Sequence, residues 1–432
     1  MNLSTRYRKS AELLARAERV IPLGSQTFSK SKIQYPAGAA PMFLTKGAGG
    51  RVWDVDGNEY VDLVCALLPV VLGYRDPDVD AAIRAQLENG ISFSLATELE
   101  IELAEKLAQI IPCAEMVRFG KNASDATSAA VRLARAFTGH DHVIACGYHG
   151  WQDWYIGATA RNKGVPAVVA QLTHKVPFND LGAVEAVFQA HPSDVAAIML
   201  ETVGADEPAP GYLQALKEIA HRNGALLVFD ETITGFRIAL GGAQAYYGVT
   251  PDLAAFGKAM GNGMPISAIV GRRDVMREME EIFFSATFGG ETLSMAAALA
   301  VIDKMQREAV IERLWKTGAG LAARIERRIA EAGLQDTIRL KGIPPWKIVQ
   351  FVDGRGTRKE AIKTLFVKEM LRHGVLITGT HNICYAHDER DIEAVERAWQ
   401  LALGTIAEEL ATGLLEKRLG VPVIMPVFAV RG

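Results

Sequence analysis

Positions 50–62 alternate apolar and polar residues on either side of Asp56-Gly57, the pattern of a β-hairpin. From about Glu98 the pattern changes: helical windows alternate with short apolar runs at 116–119, 142–145, 195–200, 226–229 and 266–270. Such alternation predicts a parallel sheet covered by helices. A helix is predicted from 291 to about 305, after which the helices become more charged. Further runs at 337–340, 347–351 and 375–378 predict the strands of a second, small sheet. The expected organisation is an N-terminal segment of a small domain (1–65), a large domain (66–308) and a C-terminal small domain (309–432). The tail from Val421 is an apolar, proline-containing strip without periodicity, expected to pack along the body or at a subunit interface.

Composition narrows the class. The chain has 432 residues, 49% hydrophobic and 22% charged, enough to bury one large core and a smaller one. A net charge of -3 without long basic runs argues against nucleic acid or an anionic membrane as partner. No apolar stretch is long enough to span a bilayer, and an amphipathic helix running to about Val20 takes the place of a signal sequence, so a cytoplasmic location is expected. Cys65, Cys113, Cys146 and Cys384 are scattered, consistent with reduced, mostly buried thiols. The nine histidines show no metal-ligand spacing, and no metal is expected.

The candidate chemistry centres on two residues. The run 226–229 ends on Asp230-Glu231, and Lys258 follows the segment Pro251-Asp-Leu-Ala-Ala-Phe-Gly, with Gly257, Gly261 and Gly263 around it. Glycine lets backbone approach a bulky planar ligand, and an acid ending a buried parallel strand faces the crevice where such sheets bind ligands. A lysine amine for a Schiff base and a carboxylate for a ring nitrogen are what pyridoxal phosphate requires. Lysines also end strands in solvent, and aspartates also cap helices or hold magnesium; no Gly-Lys-Ser/Thr phosphate loop accompanies this one. The turn Gly120-Lys-Asn122-Ala-Ser-Asp125 opens a helix predicted over 126–137, with Ser124 and Asp125 as caps and the amides of Ala123 and Ser124 available to an anion. Tyr148, just past another strand, either stacks on a cofactor ring or belongs to the core. Ser285-Ala-Thr287-Phe-Gly-Gly-Glu291 is a second turn that suits an anion or a plain cap.

The segments Val228-Phe-Asp-Glu-Thr-Ile-Thr-Gly-Phe-Arg237, Gly241-Gly-Ala-Gln-Ala and Thr250-Pro-Asp-Leu-Ala-Ala-Phe-Gly-Lys258 resemble the class III aminotransferases, and among them the glutamate-1-semialdehyde 2,1-aminomutases. Trp53-Asp-Val-Asp-Gly-Asn58, Glu115-Met-Val-Arg-Phe119, Arg132-Leu-Ala-Arg135, Gly147-Tyr-His-Gly150 and Pro177-Phe-Asn-Asp-Leu181 extend the similarity from about Val20 to about Gln400. The resemblance implies the fold type I of pyridoxal-phosphate enzymes: an α/β large domain on a mostly parallel seven-stranded sheet, with a smaller α+β domain built from N- and C-terminal segments. It implies that Lys258 forms the internal aldimine and shuttles the proton, and that Asp230 pairs with the ring nitrogen. Thr232 and Tyr148 would cover the two ring faces, and Asn122, Ala123 and Ser124 would take the phosphate. Thr287 would reach that phosphate from a neighbouring subunit of a homodimer. His149 is expected to orient Tyr148.

Four departures from the aminomutase pattern bear on the reaction. Lys30 stands about where a carboxylate-binding arginine is found, Cys65-Ala-Leu-Leu68 replaces a Ser-Trp pair, the segment between Gly150 and Val176 is shorter than a gating loop, and Thr378-Gly-Thr-His381-Asn382 is short and lacks a substrate-site glutamate. A shortened gate favours ping-pong transfer from an amino acid donor to an aldehyde or keto acceptor over intramolecular amino exchange, the alternative. Lys30, His381 and Asn382 are the candidate substrate residues, suited to a polar or sugar-like acceptor.

Overall fold

The computed structural model describes residues 6–426; the ends of the tail and of the N-terminus lie outside them. Alternation around Asp56-Gly57 yields the expected hairpin. Strands β1 (Leu44–Ala48), β2 (Arg51–Asp54) and β3 (Glu59–Asp62) form an antiparallel meander. The turn is held by Asp54, whose Oδ1 accepts from the amides of Asp56 and Asn58 at 3.0 and 2.8 Å.

Strands β4 (Met116–Gly120), β5 (His142–Cys146), β6 (Thr173–Lys175), β7 (Val195–Glu201), β8 (Leu226–Asp230), β9 (Leu253–Phe256) and β10 (Ser267–Gly271) build one seven-stranded sheet in the order β4-β10-β9-β8-β7-β5-β6. β5 to β9 pair in parallel, but β10 runs antiparallel to both of its neighbours. The sheet is thus mostly parallel, as the resemblance implies, and β10 is the strand that the alternation of helices and apolar runs did not show to be reversed. A buried apolar run reads the same in either direction, so composition carries no sign of the reversal. β6, at the sheet edge, is only three residues long and one of them is a histidine, too little for an apolar pattern.

Apart from Glu201, which ends β7 half-buried, the sheet's central strands are buried, as a surface covered on both faces requires. The helix Ala123–Thr138 lays Ala126, Ala129, Ala130, Val131, Leu133 and Ala134 against it. The small side chains let the helix axis come close to the strands, which fixes the position of its N-terminus. That helix begins at Ala123 with Asn122 as N-cap, so the expected capping by Ser124 moves to Asn122. Asp125 reaches back instead, accepting from the amides of Lys121 and Asn122 at 3.0 and 2.8 Å.

The C-terminal strands divide between two sheets rather than forming one. β11 (Ile338–Ile343), β12 (Trp346–Phe351) and β14 (Thr380–Asn382) make a three-stranded antiparallel sheet, while β13 (Val375–Leu376) joins β3 in parallel. Among the described residues, one compact unit comprises 6–76 with 312–426 and the other 77–311.

Candidate active site

Because β4, β5, β7, β8 and β9 share a direction, their carboxyl ends bring Asn122, Tyr148, His149, Glu201, Asp230 and Lys258 to one edge of the seven-stranded sheet. This is where open α/β sheets place ligands. Two adjacent acids at the end of β8 diverge. Glu231 is fully buried and accepts from the amides of Ala243 and Gln244 at 2.8 and 3.0 Å and from the Thr234 hydroxyl. Burial pushes its pKa up, and those donors offset part of the rise. Glu231 thus closes a turn. Asp230, 4% exposed, points to the sheet edge. Its Oδ1 accepts from the Thr232 amide at 3.1 Å and hydroxyl at 2.5 Å, and its Oδ2 receives Nδ1 of His149 at 2.8 Å. Three donors fix the carboxylate's plane.

His149 is therefore a partner of Asp230 rather than of Tyr148, a correction to the expectation from the sequence. The Thr127 hydroxyl donates to its carbonyl at 2.9 Å, and its ring lies against Trp154 and Tyr155 at centroid distances of 6.0 and 5.3 Å. Its Nε2 is buried without a partner. Tyr148 is positioned separately. Its amide donates to Glu201 at 2.9 Å, and its ring, 37% exposed, meets Tyr155 edge-on at 5.7 Å. Neither Glu201 nor the Thr127 contact was singled out in the sequence. A polar residue ending a buried strand, as Glu201 ends β7, was the available signal.

Lys258 opens a short 3-10 turn directly after β9, is half-buried, and has φ of 43°. A left-handed backbone at a non-glycine residue costs energy and marks a site that the surrounding fold over-determines. Two glycines make room on the other side. A Cβ at Gly257 would meet that of Ala123 at 3.2 Å, and one at Gly150, where φ is +105°, would lie 2.3 Å from the Ser124 hydroxyl. The loop after β5 and the strand before Lys258 thus both press on the first turn of helix Ala123–Thr138, whose leading amides have no partner within the helix.

The turn carrying Thr287 is tied nearby. Glu291 caps helix Thr292–Arg307 through the Leu293 amide at 2.7 Å and the Ser294 hydroxyl at 2.5 Å, and pairs with Lys121 at 2.9 Å. Thr287 itself is exposed. The substrate candidates fare differently. Lys30 is exposed at the end of a 3-10 turn, Phe28–Lys30. His381 and Asn382 are 1% and 2% exposed; His381 accepts from Trp399 Nε1 at 3.2 Å, and Asn382 Nδ2 donates to the Val64 carbonyl at 2.8 Å. Both are sealed inside the smaller unit by β14, so the expectation that they face a ligand is not met. Cys65, Ala66, Leu67 and Leu68 all have positive φ, from 47° to 86°, a left-handed turn of four non-glycine residues.

The donor set fits pyridoxal phosphate. A half-buried amine, a carboxylate held by three donors, a tyrosine ring, and helix-end amides with glycine-cleared approaches answer the aldehyde, pyridine nitrogen, ring face and phosphate of that cofactor.

Comparison with known proteins agrees with this chemistry. The model of the family "Aminotransferase class-III" matches residues 34–397. A 3-aminobutyryl-CoA aminotransferase of Cloacimonas acidaminovorans (strain Evry) is 34% identical over 412 residues, covering 93% of this chain and 98% of the relative. A glutamate-1-semialdehyde 2,1-aminomutase of Roseiflexus castenholzii (strain DSM 13941 / HLO8) is 40% identical over 344 residues, 76% of this chain and 79% of the relative. Among solved structures, the internal aldimine form of the FumI protein of Sphingopyxis sp. MTA144 superposes with a TM-score of 0.87 at 29% identity, over 94% of this chain and 98% of that one. The omega-transaminase of Sphaerobacter thermophilus does so with a TM-score of 0.84 at 28% identity, over 92% and 98%. The chain is a member of the class III aminotransferases, enzymes of fold type I that use pyridoxal phosphate.

Proposed function

We propose that this chain moves an amino group between two separate molecules, from an amino acid donor to an aldehyde or ketone, with Lys258 and Asp230 as its catalytic pair. The cofactor, when bound, stores electrons in its ring while a bond to the substrate carbon breaks. Lys258 would hold the cofactor through its amine and would carry a proton to and from the substrate carbon. Asp230 keeps the ring nitrogen protonated, and His149 and Thr232 hold Asp230 in plane. Asn122, Ala123 and Ser124 would take the phosphate, and Tyr148 and Thr232 would cover the two faces of the ring.

The observation that carries the intermolecular reading is the chain between Gly150 and β6. It folds into two short helices, Asp153–Ile156 and Ala167–Gln171, with Trp154 and Tyr155 buried beneath. Gly157 touches the Asp153 carbonyl, Val165 and Ala170 so closely that a Cβ would lie 2.9 to 3.2 Å from each. A segment pinned this way is poorly suited to gate a site against loss of a diamine. The relative named for 3-aminobutyryl-CoA favours an amine that is not α to a carboxyl group as one of the two substrates. The relatives named as aminomutases support the second reading, intramolecular exchange.

A homodimer with shared sites completes the proposal. Phe93, Leu95, Phe283 and Phe288 are 52%, 85%, 83% and 58% exposed. Large exposed apolar side chains in two segments, one of them flanking Thr287, are surface that a second copy would cover. Thr287 would then reach the partner's phosphate.

The test is a single-turnover titration of the cofactor-loaded enzyme. Addition of L-alanine, L-glutamate or a β-amino acid, with no acceptor present, should convert the bound cofactor stoichiometrically to its amine form. Conversion by a vicinal diamino acid with silence toward all of these donors would replace the proposal with the aminomutase reading. Lys258→Ala should leave no borohydride-reducible adduct at the site; persistence of one would refute the choice of lysine.

A further inference from the structure

Three histidines far apart in sequence meet at the amino ends of β5 and β6. His142 opens β5, His174 is the middle residue of β6, and His191 caps helix Leu181–Ala190. Nδ1 of His142 lies 2.8 Å from Nε2 of His174. The ring of His191 stacks on His142 at a centroid distance of 3.9 Å and tilts against His174 at 4.5 Å. One nitrogen from each ring falls within 4.8 Å of the others, and all three residues are half-buried, open enough for an ion to enter.

The acid beside the cluster is on its outer side. Oδ2 of Asp194 stands 3.6 Å from Nε2 of His142, and its Oδ1 accepts from the Asp141 amide at 3.0 Å. At 3.6 Å the carboxylate acts on that nitrogen through charge, without a hydrogen bond, while the other nitrogen of His142 turns inward to His174. Carboxylate, imidazole and metal stand in this order at many zinc centres. The backbone also holds the ligands in place. His174 is fixed by the pairing of Ile144 with His174, and His191 by the turn that returns the chain to β7, where the His142 amide donates to the Asp194 carbonyl at 2.9 Å.

We propose that His142 Nδ1, His174 Nε2 and a ring nitrogen of His191 bind a zinc-class divalent cation, with water in the fourth position. Ligand nitrogens about 2.0–2.1 Å from zinc are roughly 3.3 Å apart, so the ion takes the place of the proton shared by His142 and His174, and the His191 ring turns out of its stack on His142 to aim a nitrogen at the ion. Borderline nitrogen donors suit zinc, nickel or copper over calcium or magnesium. The site lies at the opposite end of β5 from Tyr148, so its role is structural: it clamps the three-residue edge strand β6 to β5 and to the turn before β7. The expectation of no metal followed from sequence spacing alone, which does not register ligands gathered from two strands and a helix end.

The experiment is calorimetric titration of ZnCl2 into the cofactor-loaded enzyme after treatment with EDTA and dialysis. One Zn2+ per chain is expected. His174→Ala should weaken binding at least a hundredfold and Asp194→Asn about tenfold. Circular dichroism of each metal-free variant establishes that it is folded. Should His174→Ala fail to fold, His191→Ala, outside the strands, must show the same loss. A second set of candidate ligands, the thiols of Cys65 and Cys384 with the His387 imidazole, is buried in the smaller unit. Zinc binding that survives both histidine variants and vanishes in Cys384→Ser would overturn the proposal, as would the absence of saturable binding in the unmodified chain.

Discussion

Nδ1 of His149 is 2.8 Å from Oδ2 of Asp230, and both side chains are almost wholly removed from solvent. The bond joins the loop after β5 to the last residue of β8, with β7 between those strands in the sheet. It converts Asp230 from a flexible acid into an acceptor with a fixed plane. A hydrogen bond to a charged group contributes about 1.5–3 kcal/mol, so His149→Ala should lower kcat by roughly 10- to 100-fold. KM for the amino donor should move little, because His149 touches the aspartate and not the substrate. His149→Asn, whose amide nitrogen can reach the same oxygen, should recover part of the loss. Equal damage from Asn and Ala would reduce His149 to a packing residue.

Asp230→Asn removes the charge itself. Opposite charges about 4 Å apart at an effective dielectric near 20 attract by roughly 4 kcal/mol, or about three decades in rate. Cofactor binding should survive, because the helix end and Lys258 remain. Steady-state turnover close to that of the unmodified enzyme would remove Asp230 from the catalytic pair.

How much of this was legible in the sequence differs residue by residue. Asp230 and Lys258 could be read because each ends an apolar run, and strand ends in a parallel sheet share an edge whatever the strand order. His149 could not be assigned its partner, because the contact joins residues 81 apart in sequence and no periodicity encodes it. The antiparallel β10 was hidden for a related reason, since direction leaves no mark on a buried strand. His381 and Asn382 looked like loop residues because β14 is three residues long, and its pairing with β12 becomes visible only in the sheet. The cap of helix Ala123–Thr138 was misplaced by a turn in which Asn122, Ser124 and Asp125 all have capping side chains.

Gly150 tests the packing behind the proposed phosphate turn. Its φ of +105° is unfavourable for any side chain, and an added Cβ would stand 2.3 Å from the Ser124 hydroxyl. Either the loop carrying Tyr148 and His149 or the first turn of the helix must move. Gly150→Ala should weaken cofactor binding by an order of magnitude or more and cost about 1–3 kcal/mol of stability. Equilibrium dialysis against pyridoxal phosphate reads the first effect and urea denaturation the second. Unchanged cofactor affinity would separate this turn from the phosphate.

His381 gives a prediction in pH. Burial drives its pKa down to about 3, with the nearby Lys347 ammonium pushing the same way, so the folded protein holds the ring neutral where the unfolded chain would protonate it. The unfolded state therefore binds more protons between about 3 and the ordinary histidine value near 6.5. The stabilisation is complete above that window and is lost as pH falls through it, at up to about 1.4 kcal/mol per pH unit. His381→Gln keeps an acceptor for Trp399 and removes the titration. Urea midpoints measured from pH 7 down to pH 5 should fall more steeply for the unmodified chain than for the glutamine variant. Parallel curves would mean that His381 is protonated in the fold and that the sealed environment described for β14 is open to water.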